Sequence, residues 1–412
     1  MAGRRSRDAG VVVVGASLAG LRAVQAARRG GWDGPVTLVG AEPHLPYDRP
    51  PLSKGFLTDS APVTYHATEA QLDELDVRFR AGVRAERLDT GRRRLLLGDG
   101  TEIDYRRLIV ATGATPRTTP AVPTGRGVHV LRTVDDADAL RADLAAGARV
   151  VVVGGGVIGA ETASAAVRLG GQATIVESAA VPLVRAVGAT VGRALAGLHA
   201  RNGVELTSGV GVVGCLGTDR VTGVRLTDGR TLPADVVVIG VGAAPATSWL
   251  AGSGIAVHAD GGVVADAHLR SSDPDVFAAG DVAHWPNAAM GGHSVRLENW
   301  TNASDQGTRA GTNAVSAERS VPYQTVPYFW SDWYGHRIQC VGDATSCAPV
   351  FVRGGPDEDS FLALFRSADR LIGAVGLDQQ RVIMKLRRRI GERIGWREAL
   401  EFIEPSLVKE YA

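Results

Sequence analysis

The chain has 412 residues, 45% apolar and 22% charged, with a formal net charge of +1. That length exceeds one ordinary core and predicts two or three domains, while the near-neutral balance excludes a global basic field for nucleic acid or an anionic membrane. No apolar run is long enough for a transmembrane helix, and the three cysteines fit neither a zinc pattern nor a disulfide framework, so a cytoplasmic location is expected.

After Arg4, Arg5, Ser6 and Arg7, the chain enters Val11 to Val14. This apolar run is too short for a secretion signal and reads as a parallel strand buried on both faces. Gly15-Ala16-Ser17-Leu18-Ala19-Gly20 follows, then a helix expected from Leu21 to Arg29 and a strand from Val36 to Val39. The result is a β-α-β unit with an imperfect dinucleotide fingerprint, since Ser17 stands where a middle glycine is usual. Glu42, just past the second strand, is the candidate for a nucleotide ribose. The cadence returns at Val150 to Val153, followed by Gly154-Gly155-Gly156-Val157-Ile158-Gly159, a helix near 161–169, a strand Ala173 to Val176, and Glu177.

A G-x-G-x-x-G pattern alone is weak, because a chain this rich in glycine holds about one by chance. Context strengthens this one. Gly154 makes the tight turn, Gly156 lets backbone approach a pyrophosphate, and Gly159 lets helix and strand pack closely. The helix N-terminus then faces the phosphates. Glu177 would accept hydrogen bonds from a ribose 2′-hydroxyl and repel a 2′-phosphate, which favours NADH over NADPH; the alternative is a solvated strand-end glutamate.

Val236 to Ile239 is a further strand, ending in Gly240-Val241-Gly242. Beyond Pro322 aromatics gather, strand-like runs follow at Phe361 to Phe365 and Leu371 to Val375, and a basic helix is expected near Val382 to Ile394. The fold class is therefore α/β with two Rossmann-like dinucleotide-binding domains and a C-terminal α+β domain.

Three more segments carry a resemblance: Pro46-Tyr47-Asp48-Arg49-Pro50-Pro51-Leu52-Ser53-Lys54, Val110-Ala111-Thr112-Gly113-Ala114-Thr115-Pro116-Arg117, and Val276-Phe277-Ala278-Ala279-Gly280-Asp281-Val282. With the two fingerprints, and with Arg296-Leu297-Glu298-Asn299-Trp300 and Tyr328-Phe329-Trp330-Ser331-Asp332, the chain resembles the FAD-dependent pyridine-nucleotide oxidoreductases over nearly its whole length. Within them it is similar to the ferredoxin reductases of cytochrome P450 and aromatic dioxygenase systems. The resemblance implies an FAD domain at 8–115 and 247–322, an NAD domain at 116–246 inserted within it, and a C-terminal domain at 323–412.

It also implies roles. Gly15, Ser17, Ala19, Gly20, Glu42, Arg49, Val83, Ala111, Thr112, Gly113, Arg132, Gly280, Asp281, Glu298 and Trp300 would contact FAD, with Asp281 on the ribitol. Gly154, Gly156, Val157, Ile158, Gly159, Glu161, Glu177 and Gly242 would serve NAD. Lys54 would lie at the isoalloxazine, paired with Glu161, and Trp300 and Trp330 would flank the flavin. Plain alternatives exist: Arg132 as an ion-pairing residue, and the tryptophans as core.

Disulfide-using relatives carry a cysteine in the stretch that here reads Tyr47 to Lys54, without one. Electrons would then leave directly from the flavin to a one-electron acceptor such as a [2Fe–2S] ferredoxin. Lys385, Arg387, Arg388, Arg389 and Arg393 form the densest cationic run, either a dock for an acidic ferredoxin or a solvated helix face. No metal constellation is visible in the sequence. Two other functions stay open: an NADH oxidase or quinone reductase with no protein acceptor, and a redox-gated interaction protein like the apoptosis-inducing factors.

Overall fold

The computed structural model describes residues 9–59, 61–144, 147–405 and 411; Arg4 to Arg7 lie outside them. The described residues form two compact units. One comprises the chain up to Asp48, Val63–Thr115 and Ala244–Thr325; the other comprises Arg49–Pro62, Pro116–Ala243 and the chain from Val326 onward.

The first unit is built on a sheet with strand order Val77–Arg80, Val36–Val39, Gly10–Val14, Glu102–Val110, Arg94–Leu97, Ala85–Asp89. The inner strands pair in parallel, and Val276–Ala278 joins beside Glu102–Val110. All five residues of Gly10–Val14 are buried, so the valine run has no polar face, as a strand covered on both sides requires. Its two sides feed separate cores, Val11 and Val13 in one, Val12 and Val14 in the other.

Helices Leu18–Arg29 and Trp300–Val315 cover one face of this sheet, packed through small residues. A Cβ at Gly307 would stand 2.2 Å from the Ala19 carbonyl oxygen, and one at Gly311 would stand 2.2 Å from that of Ala23. Glycine at these positions lets the helix backbones touch.

The second unit holds an all-parallel sheet, ordered Glu205–Ser208, Gln172–Glu177, Arg149–Val153, Val236–Ile239, Val128–His129. Its C-terminal part is a five-stranded antiparallel sheet ordered Tyr328–Trp333, His336–Gly342, Arg370–Leu377, Phe361–Ser367, Val350–Arg353. The period-two alternation of Phe361–Phe365 divides it between two cores. Phe361, Ala363 and Phe365 pack toward helix Val184–Arg201, while Leu362 and Leu364 pack toward helices Gln380–Gly391 and Trp396–Ile403.

Element types agree with the sequence reading, and the boundaries shift for physical reasons. The first helix starts at Leu18 rather than Leu21, and the helix of the second fingerprint starts at Val157 rather than Glu161. In both, the last fingerprint residues already form the first helical turn. The basic helix expected near Val382 to Ile394 runs from Gln380 to Gly391, ending before Arg393 takes a left-handed φ of 59°, and a separate helix, Trp396–Ile403, follows.

Gly311→Ala should push the two helices of the first unit apart and cost roughly 1–3 kcal/mol. Thermal melting of the purified variant reads this as a lower Tm. An unchanged Tm would show that the contact has slack.

Candidate functional site

In the first unit, the turn after Gly10–Val14 is held tightly. Gly15 has φ of 113°, and a Cβ there would stand 2.1 Å from the Ala111 carbonyl oxygen. A Cβ on Gly20 would stand 1.8 Å from the Gly15 carbonyl oxygen. Only glycine fits either position, so the helix start is pinned against the strand ends with Ser17 as its N-cap. Ala111 continues the neighbouring strand, its amide donating to the Val14 carbonyl at 2.7 Å. Thr112 Oγ donates to the Ala246 carbonyl at 2.8 Å, and the Ala246 amide donates to Gly113, so the Ala111-Thr112-Gly113 turn ties the stretch Val63–Thr115 to the stretch Ala244–Thr325.

Glu42 lies three residues past the second strand, Val36–Val39, and accepts a hydrogen bond from Tyr47 OH. Its backbone carbonyl accepts from Gly82, and the Val83 amide donates to Gly40. Gly280 has φ of 80° and opens the turn that carries Asp281. The Gly280 amide donates to Gln306 Oε1 at 2.8 Å. Arg296 clamps this turn from outside, donating to the Asp281 carbonyl at 2.9 Å and to Glu298 at 2.6 Å. Trp300 Nε1 donates to Asp48 at 2.8 Å, and His66 lies 3.5 Å from the same carboxylate. Burial is the largest influence on His66 and lowers its pKa.

These residues fit FAD. A helix N-terminus suits a pyrophosphate, a carboxylate just past the second strand suits ribose hydroxyls, and the Gly280–Val282 turn would hold the ribitol. Gln306 Nε2, fully buried beside that turn, has no partner among the described residues, which marks a donor left for a bound group or water.

In the second unit, Gly154 has φ of 108°, and a Cβ there would stand 2.4 Å from the Gly240 carbonyl oxygen. A Cβ on Gly159 would stand 2.1 Å from the Gly154 carbonyl oxygen. Gly156 caps the helix Val157–Arg168, and Ile158 in its first turn is exposed. No atom lies within 4 Å of where a Gly242 Cβ would sit, so the backbone is open to a ligand there. Glu177 Oε2 accepts from the Gly155 amide and Oε1 from the Ala179 amide, both at 2.7 Å. The acidic group is thus fixed on the glycine loop. The site suits a dinucleotide whose ribose carries a free 2′-hydroxyl.

One turn into that helix, Glu161 is only 2% exposed. It accepts hydrogen bonds from Ser53 Oγ and Ser331 Oγ, and Lys54 Nζ lies 2.7 Å from Oε2. The Asp332 amide adds a contact at 3.4 Å. The Lys54–Glu161 pair anticipated from the sequence is therefore present, and Ser53 and Ser331 are members that the sequence reading did not single out. Both sit inside motifs already quoted, beside Lys54 and Trp330, which is the signal that could have found them. Arg49 donates to the Arg132 carbonyl at 2.6 Å, and Trp330 stacks on Tyr328 with centroids 5.8 Å apart.

The basic helix is less free than its sequence suggested. Arg388 pairs with Glu392 at 2.8 Å, Arg389 with Glu392 and Glu398, and Arg387 lies over the Tyr328 ring while donating to Val326. Lys385 is exposed. The three cysteines are free thiols in the second unit. Burial pushes Cys340 up to about 12 and raises Cys215 and Cys347, so none is a ready thiolate. Among the described residues no helix is long and apolar enough to cross a membrane.

Comparison with known proteins gives the same outline. Residues 9–307 match the pyridine nucleotide-disulphide oxidoreductase model, and residues 328–402 match the reductase C-terminal model. The chain is 36% identical to the ferredoxin--NAD(+) reductase component of the p-cumate 2,3-dioxygenase system of Pseudomonas putida, covering 93% of each chain. It is 35% identical to rhodocoxin reductase of Rhodococcus erythropolis, covering 92% of this chain and 88% of that one. The reductase of the covalent putidaredoxin reductase–putidaredoxin complex superposes with a TM-score of 0.91 at 29% identity, covering 99% of both chains.

Wild-type protein should prefer NADH to NADPH by about ten- to a hundredfold in kcat/KM, the effect of one hydrogen-bonded or repulsive ribose contact. Glu177→Arg should shrink or reverse that ratio. Equal kcat/KM for the two nucleotides in the wild type would remove Glu177 from the role.

Proposed function

The chain belongs to the pyridine nucleotide-disulphide oxidoreductase family and carries a reductase C-terminal domain; from that premise we propose that it is a cytoplasmic NADH:ferredoxin reductase delivering electrons singly to a [2Fe–2S] ferredoxin of a cytochrome P450 or aromatic-ring oxygenase system. FAD, when bound, takes two electrons from a hydride donor together and gives them up one at a time. The balance is one NADH and two oxidised ferredoxins to NAD⁺, a proton and two reduced ferredoxins.

The observation that carries this reading is the cysteine-free stretch Tyr47 to Lys54, in a chain similar along nearly its whole length to ferredoxin reductases. A second electron store in a disulfide has no residues there, so the acceptor must draw on the flavin itself. We assign FAD to the first unit, with Gly15, Ser17 and Gly20 at the pyrophosphate, Glu42 at the ribose and Asp281 at the ribitol. Ala19 and Gly280 would keep that path clear, and Val83, Ala111, Thr112, Gly113, Glu298 and Trp300 would complete the enclosure. NADH is assigned to the glycine loop 154–159 with Glu177 and Gly242.

Lys54 would supply the positive charge that stabilises reduced flavin, with Glu161 fixing its position. Arg49, Arg132 and Trp330 are assigned supporting contacts. Lys385 and Arg388 are the cations of helix Gln380–Gly391 that we propose for docking. Arg388 pairs with Glu392 yet stays 83% exposed, whereas Arg387 and Arg389 are more covered by their contacts with Val326, Tyr328 and Glu398.

The test separates the two half-reactions by stopped flow. Ferredoxin reduction should fall steeply with salt, since attraction between exposed charges is screened over about 8–10 Å, while NADH-driven reduction of small neutral dyes should hardly change. The double variant Lys385→Glu, Arg388→Glu should raise KM for ferredoxin by roughly fivefold or more and leave flavin reduction by NADH intact. If it serves its best ferredoxin as well as wild type does, the helix is not the dock. If no ferredoxin is reduced faster than oxygen or quinone, the oxidase reading replaces this one.

A further inference from the structure

Three side chains that the proposed reaction does not use meet in the first unit. His258 and Asp260 lie on the turn 258–262, closed by hydrogen bonds between the His258 and Gly262 backbones and between Gly261 and His258. His284 lies on the strand Ala283–Pro286, paired beside Val264. His284 is 8% exposed, while His258 is open to solvent. Both imidazoles address one carboxylate. His258 Nδ1 is 3.0 Å from Asp260 Oδ1, and His284 Nδ1 is 3.3 Å from Asp260 Oδ2. The rings lie one over the other with centroids 3.8 Å apart and planes 28° from parallel. A ligand atom from each of the three side chains lies within 4.8 Å of the other two.

We propose that His258, Asp260 and His284 form a binding site for a divalent transition-metal ion of borderline softness: zinc, nickel or copper(II).

Spacing supports this first. Ligands about 2.0–2.1 Å from a tetrahedral zinc stand roughly 3.3–3.5 Å from one another, close to the two nitrogen–oxygen separations here. Convergence is the second argument. Both Nδ1 atoms point at the two oxygens of the same group, so a cation replacing the protons between them needs only a modest rotation of each ring. His258, on an exposed turn, has room to make it.

The donor set is the third argument. Two imidazole nitrogens and one carboxylate suit zinc, nickel or copper, whereas magnesium and calcium favour all-oxygen shells. Outer contacts already orient the carboxylate, since the Gly262 amide donates to Oδ1 and Arg296 Nε to Oδ2, each at 2.9 Å. Burial opposes ionisation of Asp260, but these donors together with the two imidazoles outweigh it and hold its pKa well below the usual carboxylate range. Three protein ligands leave a fourth position for water on the exposed His258 side.

The site does not depend on the reductase reading, although Arg296 links it to the turn carrying Asp281. The test uses the FAD-loaded, tag-free protein stripped with a chelator. Zinc chloride is titrated by calorimetry near neutral pH, and the zinc-loaded protein is then examined by X-ray absorption. The expected result is one zinc per chain, with an affinity on the order of 10 µM or tighter, and a first shell of nitrogen and oxygen containing two imidazoles.

His258→Ala should weaken binding at least about tenfold. His336→Ala, which removes a ring beside Asp378 in the other unit, should change nothing. Undiminished binding in the double variant His258→Ala, His284→Ala would overturn the proposal. So would a sulfur-containing first shell, displacement by equimolar magnesium, or no stoichiometric binding.

Discussion

The second unit is organised around one buried negative charge. Glu161 is only 2% exposed, and a carboxylate out of water costs several kcal/mol unless donors replace its hydration. Here the donors come from two stretches of chain remote from the helix that carries Glu161: Ser53 with Lys54, and Ser331 with the Asp332 amide. Trp333 Nε1 donates to Ser331 Oγ at 2.6 Å and secures that hydroxyl from the other side. Removing Lys54, the charged partner, would leave Glu161 buried without its counter-charge, a change that in general costs about 3–5 kcal/mol. The position of Lys54, the cation on which the proposed flavin chemistry relies, is therefore set by the packing of segments far apart in sequence.

A second constraint is steric and occurs twice. Gly15 and Gly154 both have strongly positive φ, and at each a Cβ would collide with the backbone of the neighbouring strand crossover. Gly20 and Gly159 repeat the collision one helical turn later. The two loops thus share one geometry, a tight glycine turn leading into a helix start, built from different sequences. Ser17 in the first shows that the middle position tolerates a small side chain, whereas the flanking glycines do not. Their shared geometry accounts for two dinucleotide sites in one chain. The acidic residue after each second strand differs in its engagement. Glu177 is fastened to loop amides, while Glu42 accepts from Tyr47.

The parts legible in the sequence were those fixed by local rules. Val36–Val39 and Val236–Ile239 have the bounds expected of them, because each is a four-residue apolar run rich in β-branched residues and closed by a glycine, too short for a helix. The glycine fingerprints were legible because the turn requires that residue. Long-range pairings were not. Ser53 and Ser331 carry no signal until the fold brings both to Glu161. His258 and His284 lie on a turn and a strand that meet only through sheet pairing, so the sequence reading expected no metal set. The arginine run of the last domain read as one cationic face, but Glu392 at its own helix end pairs with Arg388 and Arg389, and the turn at Arg393 lets the next helix bring Glu398 to Arg389. Charge along a sequence does not register partners that a second helix supplies.

In the proposed cycle electrons pass through flavin alone, with no thiol store, before leaving one at a time. Cys215, Cys340 and Cys347 are free, and burial raises all three above the ordinary thiol range. Anaerobic titration of the FAD-loaded protein with NADH, followed by flavin absorbance, tests this directly. Complete bleaching is expected after one equivalent of NADH per chain, with no further uptake. Consumption of two equivalents would show a second two-electron store and contradict the account.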